Sequence, residues 1–424
     1  MSKLRFVHAA DLHLDSPFSG LRAVAPPSVA KALHNATFEA YKNLIDLCID
    51  EQVDALLVAG DIFDSADRSL RAQRAFVSGL ERLHEAGIRS FICHGNHDPL
   101  EGWEAQLTYP SSCHRFGRAF ECVPFFDSSP DSAVVYGISY PVREVRENLV
   151  YQLGRVDPDR FSIGLLHANV GGNPNHDAYA SCTLSDLEQT GVDYWALGHV
   201  HARQILRDGT PTVAYPGNPQ GKNPTETGAK GVYLVEVADD RSIQHAFHCT
   251  DVVRWASLRF DISDSQTEQE LLDDLGELLR ETLSKADGRS VVVRLTLTGR
   301  GSLSAVLRRD NFVEELRDEI NKYWSDYSPF TWCERIENQS ASPFNRAERV
   351  VGSDFVAEFL RVCNRAKNDH ELQDRLRANL DELLRHHRFR RDLPDELHEK
   401  IELSDLIDEA ESIAIDLLTE VDET

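Results

Sequence analysis

Short apolar runs alternate with longer amphipathic stretches along the chain from Leu4 to about Val237. The short runs have the length of buried strands, whereas residues 28–50 and 69–86 repeat their apolar positions about every three to four residues, as helices do. Strands that alternate with helices predict an α/β domain whose layered sheet is largely buried. The predicted strands are residues 4–9, 55–59, 88–93, 133–138, 162–166, 194–197, 212–215 and 231–237.

The pattern changes near residue 250. A mixture of apolar runs and helical stretches then predicts a small α+β domain, and the chain after Pro343 becomes helical and highly charged. The predicted domains are therefore residues 1–250, 257–342 and 343–424. The additional predicted strands are residues 258–262, 290–297 and 330–336, and the additional predicted helices are residues 266–284, 310–322, 354–365, 371–387 and 404–420.

The last predicted helix alternates acidic residues with Leu and Ile, a pattern typical of an amphipathic helix. Two interpretations of its apolar face stay open. The helix closes the core of its own chain, or it forms a docking surface for another subunit.

Composition narrows the class of protein. A chain of 424 residues is too long for one ordinary core, so two or three domains are expected. The formal net charge of −25 argues against a general nucleic-acid coat, because non-specific DNA binding depends on Lys and Arg. It does not exclude a nuclease, whose bound metal ions supply positive charge locally.

Cysteine usage and hydropathy predict the cellular compartment. The eight cysteines form no C-x-x-C pair, which favours a reduced cytoplasmic protein over a disulfide framework. No apolar run approaches the roughly 18 residues of a membrane span, and the N-terminus lacks the apolar segment of a signal peptide. We therefore expect a cytoplasmic protein without membrane contact.

Carboxylate, amide and imidazole side chains follow several of the predicted strands. Because open α/β sheets bind their ligands beyond the carboxyl ends of the strands, we expect these side chains to converge. Each segment alone is weak evidence for a functional site. Their joint occurrence after successive apolar runs, however, is hard to explain by packing. The segments are Asp11-Leu12-His13, Gly60-Asp61-Ile62-Phe63-Asp64, Gly95-Asn96-His97-Asp98, His167 and Gly198-His199-Val200-His201.

Carboxylate, amide and imidazole groups in this number suit two divalent ions. Two ions about 3.5–4 Å apart are a common device for phosphoryl transfer, and one shared carboxylate can bridge them. Asp61, in a Gly-Asp turn at a strand end, is the natural bridge. With Asp11 as the second carboxylate, the centre keeps a positive charge suited to a phosphodiester. Mixed ligands favour Mn²⁺, with Fe, Zn or Mg²⁺ as alternatives.

The ordered motifs D-x-H, G-D-x-x-D, G-N-H-D, H and G-H-x-H resemble the calcineurin-like metallophosphoesterases over residues 4 to about 237. The opening segment around Asp11 and the G-D-I-F-D form of the second motif are most similar to the SbcD-type DNA repair exonucleases. Residues 215–221 and 231–237 resemble the bacterial YhaO-like subgroup. The resemblance implies a layered metallophosphoesterase β-sandwich flanked by helices, followed by a small α+β capping domain and a helical C-terminal region.

The resemblance also implies a role for each motif residue. One metal takes Asp11, His13, Asp61 and His201. The second metal takes Asp61, Asn96, His167 and His199.

Two further residues take part in catalysis in the family. His97 faces the scissile phosphate, where it stabilises the transition state or protonates the leaving oxygen. Asp64 is the expected hydrogen-bond partner that orients His97. Some nuclease relatives carry His at the position of Asp64, and Asp matches the bacterial type.

The preferred function is a manganese-dependent exonuclease or endonuclease in DNA repair, in which metal-activated water attacks the phosphodiester. The resemblance implies an SbcC-like coiled-coil ATPase as partner, docked on the C-terminal region, and pairing of two chains as a homodimer. One alternative is a small-molecule phosphodiesterase or phosphomonoesterase. Another is a regulatory subunit of an SbcC-like ATPase with weak catalysis.

Overall fold

The computed structural model describes residues 4–16, 18, 21, 25–64, 68–126, 133–171, 180–324, 327–344, 346–385 and 403–419. The chain divides into two compact units. The first comprises Met1–Leu258, Leu275–Thr296 and Glu314–Glu337, and the second comprises Arg259–Asp274, Leu297–Val313 and Asn338–Thr424. The three predicted domains, with boundaries near residues 250, 257 and 342, stay a prediction.

The strands build three sheets. They are β1 (Leu4–Ala9), β2 (Ala55–Ala59), β3 (Arg89–Cys93), β4 (Cys113–Arg115), β5 (Glu121–Pro124), β6 (Ala133–Gly137), β7 (Phe161–His167), β8 (Tyr194–Gly198), β9 (Gln204–Arg207), β10 (Thr212–Tyr215), β11 (Gly231–Val237), β12 (Ile243–Cys249), β13 (Val253–Asp261), β14 (Ser290–Thr298) and β15 (Thr331–Asn338).

Two six-stranded sheets form the first unit's sandwich. The first sheet has the order β12–β11–β1–β2–β3–β4, and the second has the order β5–β6–β7–β8–β10–β9. Strands β1 to β4 run parallel to one another, as do β6, β7, β8 and β10. Parallel strands place their carboxyl ends at one edge of a sheet, so the segments that follow β1, β2 and β3 emerge together. A small third sheet has the order β13–β14–β15.

The core lies between the two large sheets. Inward side chains of one sheet, such as Phe6 and Leu57, share a buried cluster with those of the other, such as Leu165 and Ala196. Strands buried on both faces carry near-continuous apolar runs, which explains why the sequence revealed them.

The helices surround the sheets. Helices α1 and α2 cover the outer face of the first sheet, where Leu44 and Phe76 pack on Val58. Ser69 caps α2 by accepting a hydrogen bond from the Ala72 main chain. The helices are α1 (Pro27–Asp50), α2 (Leu70–Glu85), α3 (Leu184–Glu188), α4 (Glu268–Ser284), α5 (Ser304–Leu307), α6 (Phe312–Trp324), α7 (Arg346–Arg349), α8 (Phe355–Asn368), α9 (His370–Arg385) and α10 (Leu403–Thr419).

The second unit contains the C-terminal helix α10, which packs on α8. Ile415 of α10 shares a buried cluster with Val356 and Leu360 of α8. The buried Glu411 carboxylate binds both Arg346 and Lys367. The amphipathic face of α10 therefore contributes to the core of its own chain, the first of the two interpretations offered by the sequence.

The predicted α/β sandwich with flanking helices and a helical C-terminal region is confirmed. Most predicted elements agree with the structure to within a few residues, although the end of predicted helix 371–387 lies outside the described residues. Four strands were missed: β4, β5, β9 and β12. Within the described part of the chain, these four are the edge strands of the two large sheets.

The described helices were also compared with the length and apolarity that a membrane span requires. None of them is both long and apolar enough to cross a membrane.

Candidate metal centre

The segments after β1 and β2 run side by side at the carboxyl edge of the first sheet. The Asp11 main-chain N–H donates to the Gly60 carbonyl at 3.1 Å, and the His13 N–H donates to the Asp61 carbonyl at 3.0 Å. These hydrogen bonds continue the parallel pairing of the strands beyond the regular sheet. They place the side chains of the first two motifs next to each other.

Several site residues have left-handed backbone conformations. The φ angle is +53° at Asp11, +43° at His13, +51° at Asp61 and +104° at His199. Positive φ is costly for residues with a side chain, and such strain persists only where the surroundings enforce it. The concentration of this strain at four motif residues indicates that the turns which carry them serve to place side chains rather than to stabilise the chain.

A first group of side chains combines both sheets. One ligand atom each from Asp11, His13 and His201 lies within 4.8 Å of the others. His13 Nε2 and His201 Nε2 are 3.0 Å apart, and His13 Nε2 lies 3.8 Å from Asp61 Oδ2. This group matches the ligands expected for one metal.

A second group shares Asp61 with the first. Asp61 Oδ2 lies 3.5 Å from His167 Nε2. Asn96 Oδ1 lies 3.0 Å from His167 Nε2 and 3.3 Å from His199 Nδ1. The structure therefore brings together all seven side chains predicted as metal ligands, with Asp61 between the two groups.

His97 lies beside the first group and, like His201, is only partly buried. Its ring centroid is 5.0 Å from that of His13, and its main-chain N–H donates to Asp61 Oδ1 at 2.9 Å. His97 Nδ1 donates to the main-chain carbonyl of Asp64 at 3.0 Å. The predicted contact between His97 and Asp64 thus runs through the Asp64 backbone and not through its carboxylate.

The Asp64 carboxylate has different partners. Its Oδ1 lies 3.0 Å from His13 Nδ1 and accepts a hydrogen bond from Lys222 Nζ at 3.0 Å. Burial alone would raise the pKa of Asp64, but the contact with His13 and the charge of Lys222 hold that pKa well below its usual range. Asp64 is therefore a permanent negative charge next to His13.

The buried carboxylates of the centre need positive charge. Burial raises the pKa of Asp61 to about 7. Burial also raises the pKa of Asp11 well above its usual range, and the nearby Asp61 carboxylate adds to this shift. Two buried acids side by side, whose charged forms are this costly, form a site that favours cations.

Two of the imidazoles, those of His13 and His167, are in the form that binds metal. Burial lowers the pKa of His167 to about 4 and lowers the pKa of His13 well below its usual range. Both rings are therefore neutral near pH ~7, with a lone pair available on one nitrogen. His167 Nδ1 donates to the Ala59 carbonyl at 2.9 Å, which directs Nε2 to Asn96 and Asp61.

Sequence reasoning missed a functional loop between β10 and β11. Glu226 accepts a hydrogen bond from His201 Nδ1 at 2.8 Å, and Lys230 Nζ donates to the His201 carbonyl at 2.9 Å. Burial would raise the pKa of Glu226, but the hydrogen bond from His201 and other donors hold it at about 2. No role in the site was predicted for Glu226 or Lys230, because no local pattern links them to His201.

Asp98, the last residue of the G-N-H-D motif, connects this motif to the G-D-x-x-D motif by hydrogen bonds. Its buried carboxylate accepts from the main-chain N–H groups of Ile62 at 3.0 Å and Gly95 at 2.8 Å, and contacts His94 Nδ1 at 3.1 Å. Arg68 donates to the Asp98 carbonyl at 2.8 Å. Asp98 therefore fixes the turn that carries Asp61 against the turn that carries Asn96.

Glycine at position 95 leaves room for the ligands. A Cβ atom there would overlap the Asp61 carboxylate and lie 2.8 Å from His167 Nε2. Only a residue without a side chain lets the backbone of this turn come so close to both ligands.

The donor set fits two divalent cations. A proton on His201 Nδ1, donated to Glu226, leaves a lone pair on Nε2, which points at His13 Nε2 only 3.0 Å away. The Asp64 carboxylate likewise favours the His13 proton on Nδ1. Two facing lone pairs repel unless a cation lies between them. Mixed oxygen and imidazole donors around a shared carboxylate are typical of dimetal sites.

Comparison with known proteins identifies two regions of the chain. Residues 4–203 match the calcineurin-like phosphoesterases, and residues 255–341 match the middle domain of the metallophosphoesterase YhaO. The chain is 36% identical to the uncharacterized metallophosphoesterase YhaO of Bacillus subtilis, over 81% of this chain and 84% of that protein.

More distant relatives carry the names of DNA repair proteins. The chain is 28% identical to the DNA double-strand break repair protein Mre11 of Sulfurisphaera tokodaii, over 57% of this chain and 61% of that protein. It is 23% identical to one subunit of the nuclease SbcCD of Bacillus subtilis, over 55% of this chain and 66% of that protein.

Proposed function

Because the chain belongs to the calcineurin-like metallophosphoesterases, a family of metal-dependent phosphoesterases, we propose that it is a DNA nuclease acting in repair. The observation that carries the proposal is the convergence of nine motif side chains at one edge of the sandwich. Seven of them form two groups around Asp61, and His97 and Asp64 lie beside them.

The proposed metal positions follow these groups. Asp11, His13, Asp61 and His201 would hold one divalent ion, and Asp61, Asn96, His167 and His199 would hold the other. Such a pair supplies positive charge to the phosphate oxygens and lowers the pKa of the attacking water. Imidazole and carboxylate donors together favour Mn²⁺, and Fe, Zn and Mg²⁺ are the alternatives.

His97 is the proposed catalytic residue. The Asp64 carbonyl accepts the Nδ1 proton, so in the protonated ring Nε2 carries the proton that can be donated to a phosphate oxygen or to the leaving oxygen. Asp64 acts on this ring through its backbone, and its carboxylate holds His13. The partial exposure of His97, which His201 shares, fits a group that meets substrate.

DNA is favoured as substrate over a small phosphodiester by the relatives named Mre11 and SbcCD. The chain also continues for more than 200 residues past the segment that matches the phosphoesterase family. A small-molecule phosphodiesterase stays the second candidate, because the net charge of −25 is unfavourable for binding a polyanion.

The name of the SbcCD relative suggests a partner of this chain. We infer that this partner is an SbcC-like ATPase. We further propose, from the family resemblance alone, that the protein acts in the cytoplasm and that two copies pair as a homodimer. A chain with this partner and an inactive site would be a regulatory subunit, but all the ligand side chains are retained here.

The test compares DNA with a small diester. Single- and double-stranded oligonucleotides and bis-p-nitrophenyl phosphate are incubated with the protein, with and without Mn²⁺. We expect Mn²⁺-dependent DNA cleavage that Asp61→Ala abolishes, because the bridging carboxylate is lost. The matched control Asp46→Ala removes a surface acid that pairs with Arg82 and should retain activity.

Two outcomes would contradict the proposal. Hydrolysis of the small diester without DNA cleavage would favour the small-molecule phosphodiesterase. Cleavage that persists in Asp61→Ala would exclude the proposed metal centre as its source.

A further inference from the structure

The two groups of ligands differ in what lies behind their imidazoles. Behind His201 lies the carboxylate of Glu226, hydrogen-bonded to Nδ1 at 2.8 Å. Beside His13 lies the carboxylate of Asp64, 3.0 Å from Nδ1. Behind His167, in the other group, lies the neutral carbonyl of Ala59. Two carboxylates therefore stand behind the imidazoles of the first group. Lys222 Nζ pairs with one of them, Asp64, at 3.0 Å, whereas Glu226 faces His201 directly.

Glu226 is held in place by its own loop. Besides His201, its carboxylate accepts hydrogen bonds from Asn218 Nδ2 at 2.8 Å, the Lys222 main-chain N–H at 2.7 Å and Asn223 Nδ2 at 2.8 Å. Four donors around one carboxylate leave no place for a proton on it, so Glu226 is ionised. The loop between β10 and β11 is thus arranged around a charge that faces His201.

A carboxylate behind a metal-binding imidazole has two effects. It fixes the proton on the far nitrogen and so directs the lone pair of the near nitrogen towards the metal, and its charge makes the ring a stronger donor. A neutral carbonyl, as at His167, also fixes the proton on the far nitrogen, but it strengthens the ring as a donor much less. The first group also has the Asp11 carboxylate as a ligand, where the second group has the neutral amide of Asn96.

We propose that Glu226 is a positioning residue for His201, and that its charge makes the position formed by Asp11, His13 and His201 the tighter of two metal positions. The position formed by Asn96, His167 and His199 is the weaker one and fills second. This inference rests on the proposed dimetal centre and goes beyond it by ranking the two positions.

The test measures metal binding without any substrate. Metal-free wild-type protein, Glu226→Gln and Asn96→Ala are titrated with Mn²⁺ by calorimetry, and free Mn²⁺ is counted by electron paramagnetic resonance. We expect two affinity classes in the wild type. Glu226→Gln should weaken the tighter class about 10–100-fold and leave the weaker class in place. Asn96→Ala should weaken only the weaker class.

The control variant is Glu121→Gln, which removes another carboxylate paired with a histidine. Glu121 lies in the edge strand β5, away from the proposed ligands, and contacts His114 Nε2 of β4 at 3.0 Å. Both Mn²⁺ affinities should be unchanged in this variant. Thermal unfolding with a chelator present checks that each variant is folded, and Asn96→Ala decides the ranking even if Glu226→Gln does not fold.

The outcomes separate this inference from the function it rests on. A wild-type protein that binds fewer than two Mn²⁺ ions would overturn the dimetal centre itself. Two affinity classes that are unchanged in Glu226→Gln would overturn the role of Glu226 alone. Loss of the tighter class in Asn96→Ala would reverse the ranking and also overturn the inference.

Discussion

The two large sheets make different contributions to one centre. The first sheet supplies every proposed oxygen ligand, from Asp11, Asp61 and Asn96, together with the imidazoles of His13 and His97. The second sheet supplies only imidazoles, from His167, His199 and His201. The centre therefore exists only where the edges of both sheets meet, and neither sheet could bind two ions alone.

Backbone conformation follows the same division. Three residues of the first sheet's turns, Asp11, His13 and Asp61, have positive φ, whereas His199 is the one such ligand from the second sheet. Tight, strained turns bring the short carboxylates of the first sheet to the centre. His13 shares this strain although its side chain is a longer imidazole, so the strain follows the paired turns after β1 and β2 and not the length of the side chain.

The largest expected effect separates catalysis from metal binding. His97→Ala should retain two Mn²⁺ ions and lower the turnover number about 10²–10⁴-fold, because His97 belongs to the first sheet but to neither ligand group. His167→Ala, in the second sheet, should lose Mn²⁺ as well as turnover. Elemental analysis beside steady-state kinetics measures both, and a near-normal rate for His97→Ala would exclude it as the catalytic residue.

A smaller effect, on the free energy of unfolding, is expected from a substitution where the two large sheets touch. A methyl group on Gly198 would overlap the Ala59 carbonyl oxygen, so Gly198→Ala should force β8 away from β2. Overpacking of this kind costs about 1–3 kcal/mol of unfolding free energy. Urea unfolding measures the loss, and Mn²⁺ affinity should fall with it. Gly154→Ala, where a Cβ atom would meet open space, is the matched control and should leave both unchanged.

An effect of similar size, but confined to higher pH, is expected from the buried Asp61 carboxyl in metal-free protein. Burial raises the pKa of Asp61 to about 7, above its value in the unfolded chain. The folded protein therefore holds a proton that the unfolded chain releases, and stability falls as pH rises from about 4 to about 7. Asp61→Asn should remove this penalty and stabilise the metal-free protein by on the order of 1–3 kcal/mol near pH ~8.

Thermal unfolding of wild type and Asp61→Asn across this pH range, with a chelator present, checks the prediction. The two melting temperatures should converge towards about pH 4, where Asp61 is protonated in the folded wild-type protein. A difference that does not change with pH would mean that the burial of Asp61 is already compensated. Added Mn²⁺ should stabilise the wild type more than the variant, since the variant lacks the bridging charge.

Prediction from sequence succeeded where strands are buried on both sides. Strands β1, β2, β10 and β11 were predicted with their observed bounds, because most of their side chains are apolar and buried. The edge strand β12 alternates half-buried with exposed residues and carries no apolar run. Its pairing with β11 depends on backbone hydrogen bonds, which side-chain patterns do not record.

The sequence by itself determined the types of the proposed ligands, their order and their positions at strand ends, because the motif residues follow short apolar runs typical of buried strands. The tertiary structure alone decided which groups stand behind the ligands. Glu226 lies 25 residues from His201 along the chain, and Lys222 lies 158 residues from Asp64, yet both pairs are in hydrogen-bond contact. Contacts between a loop and a distant turn depend on how the sheets pack, and no local pattern of residues encodes them.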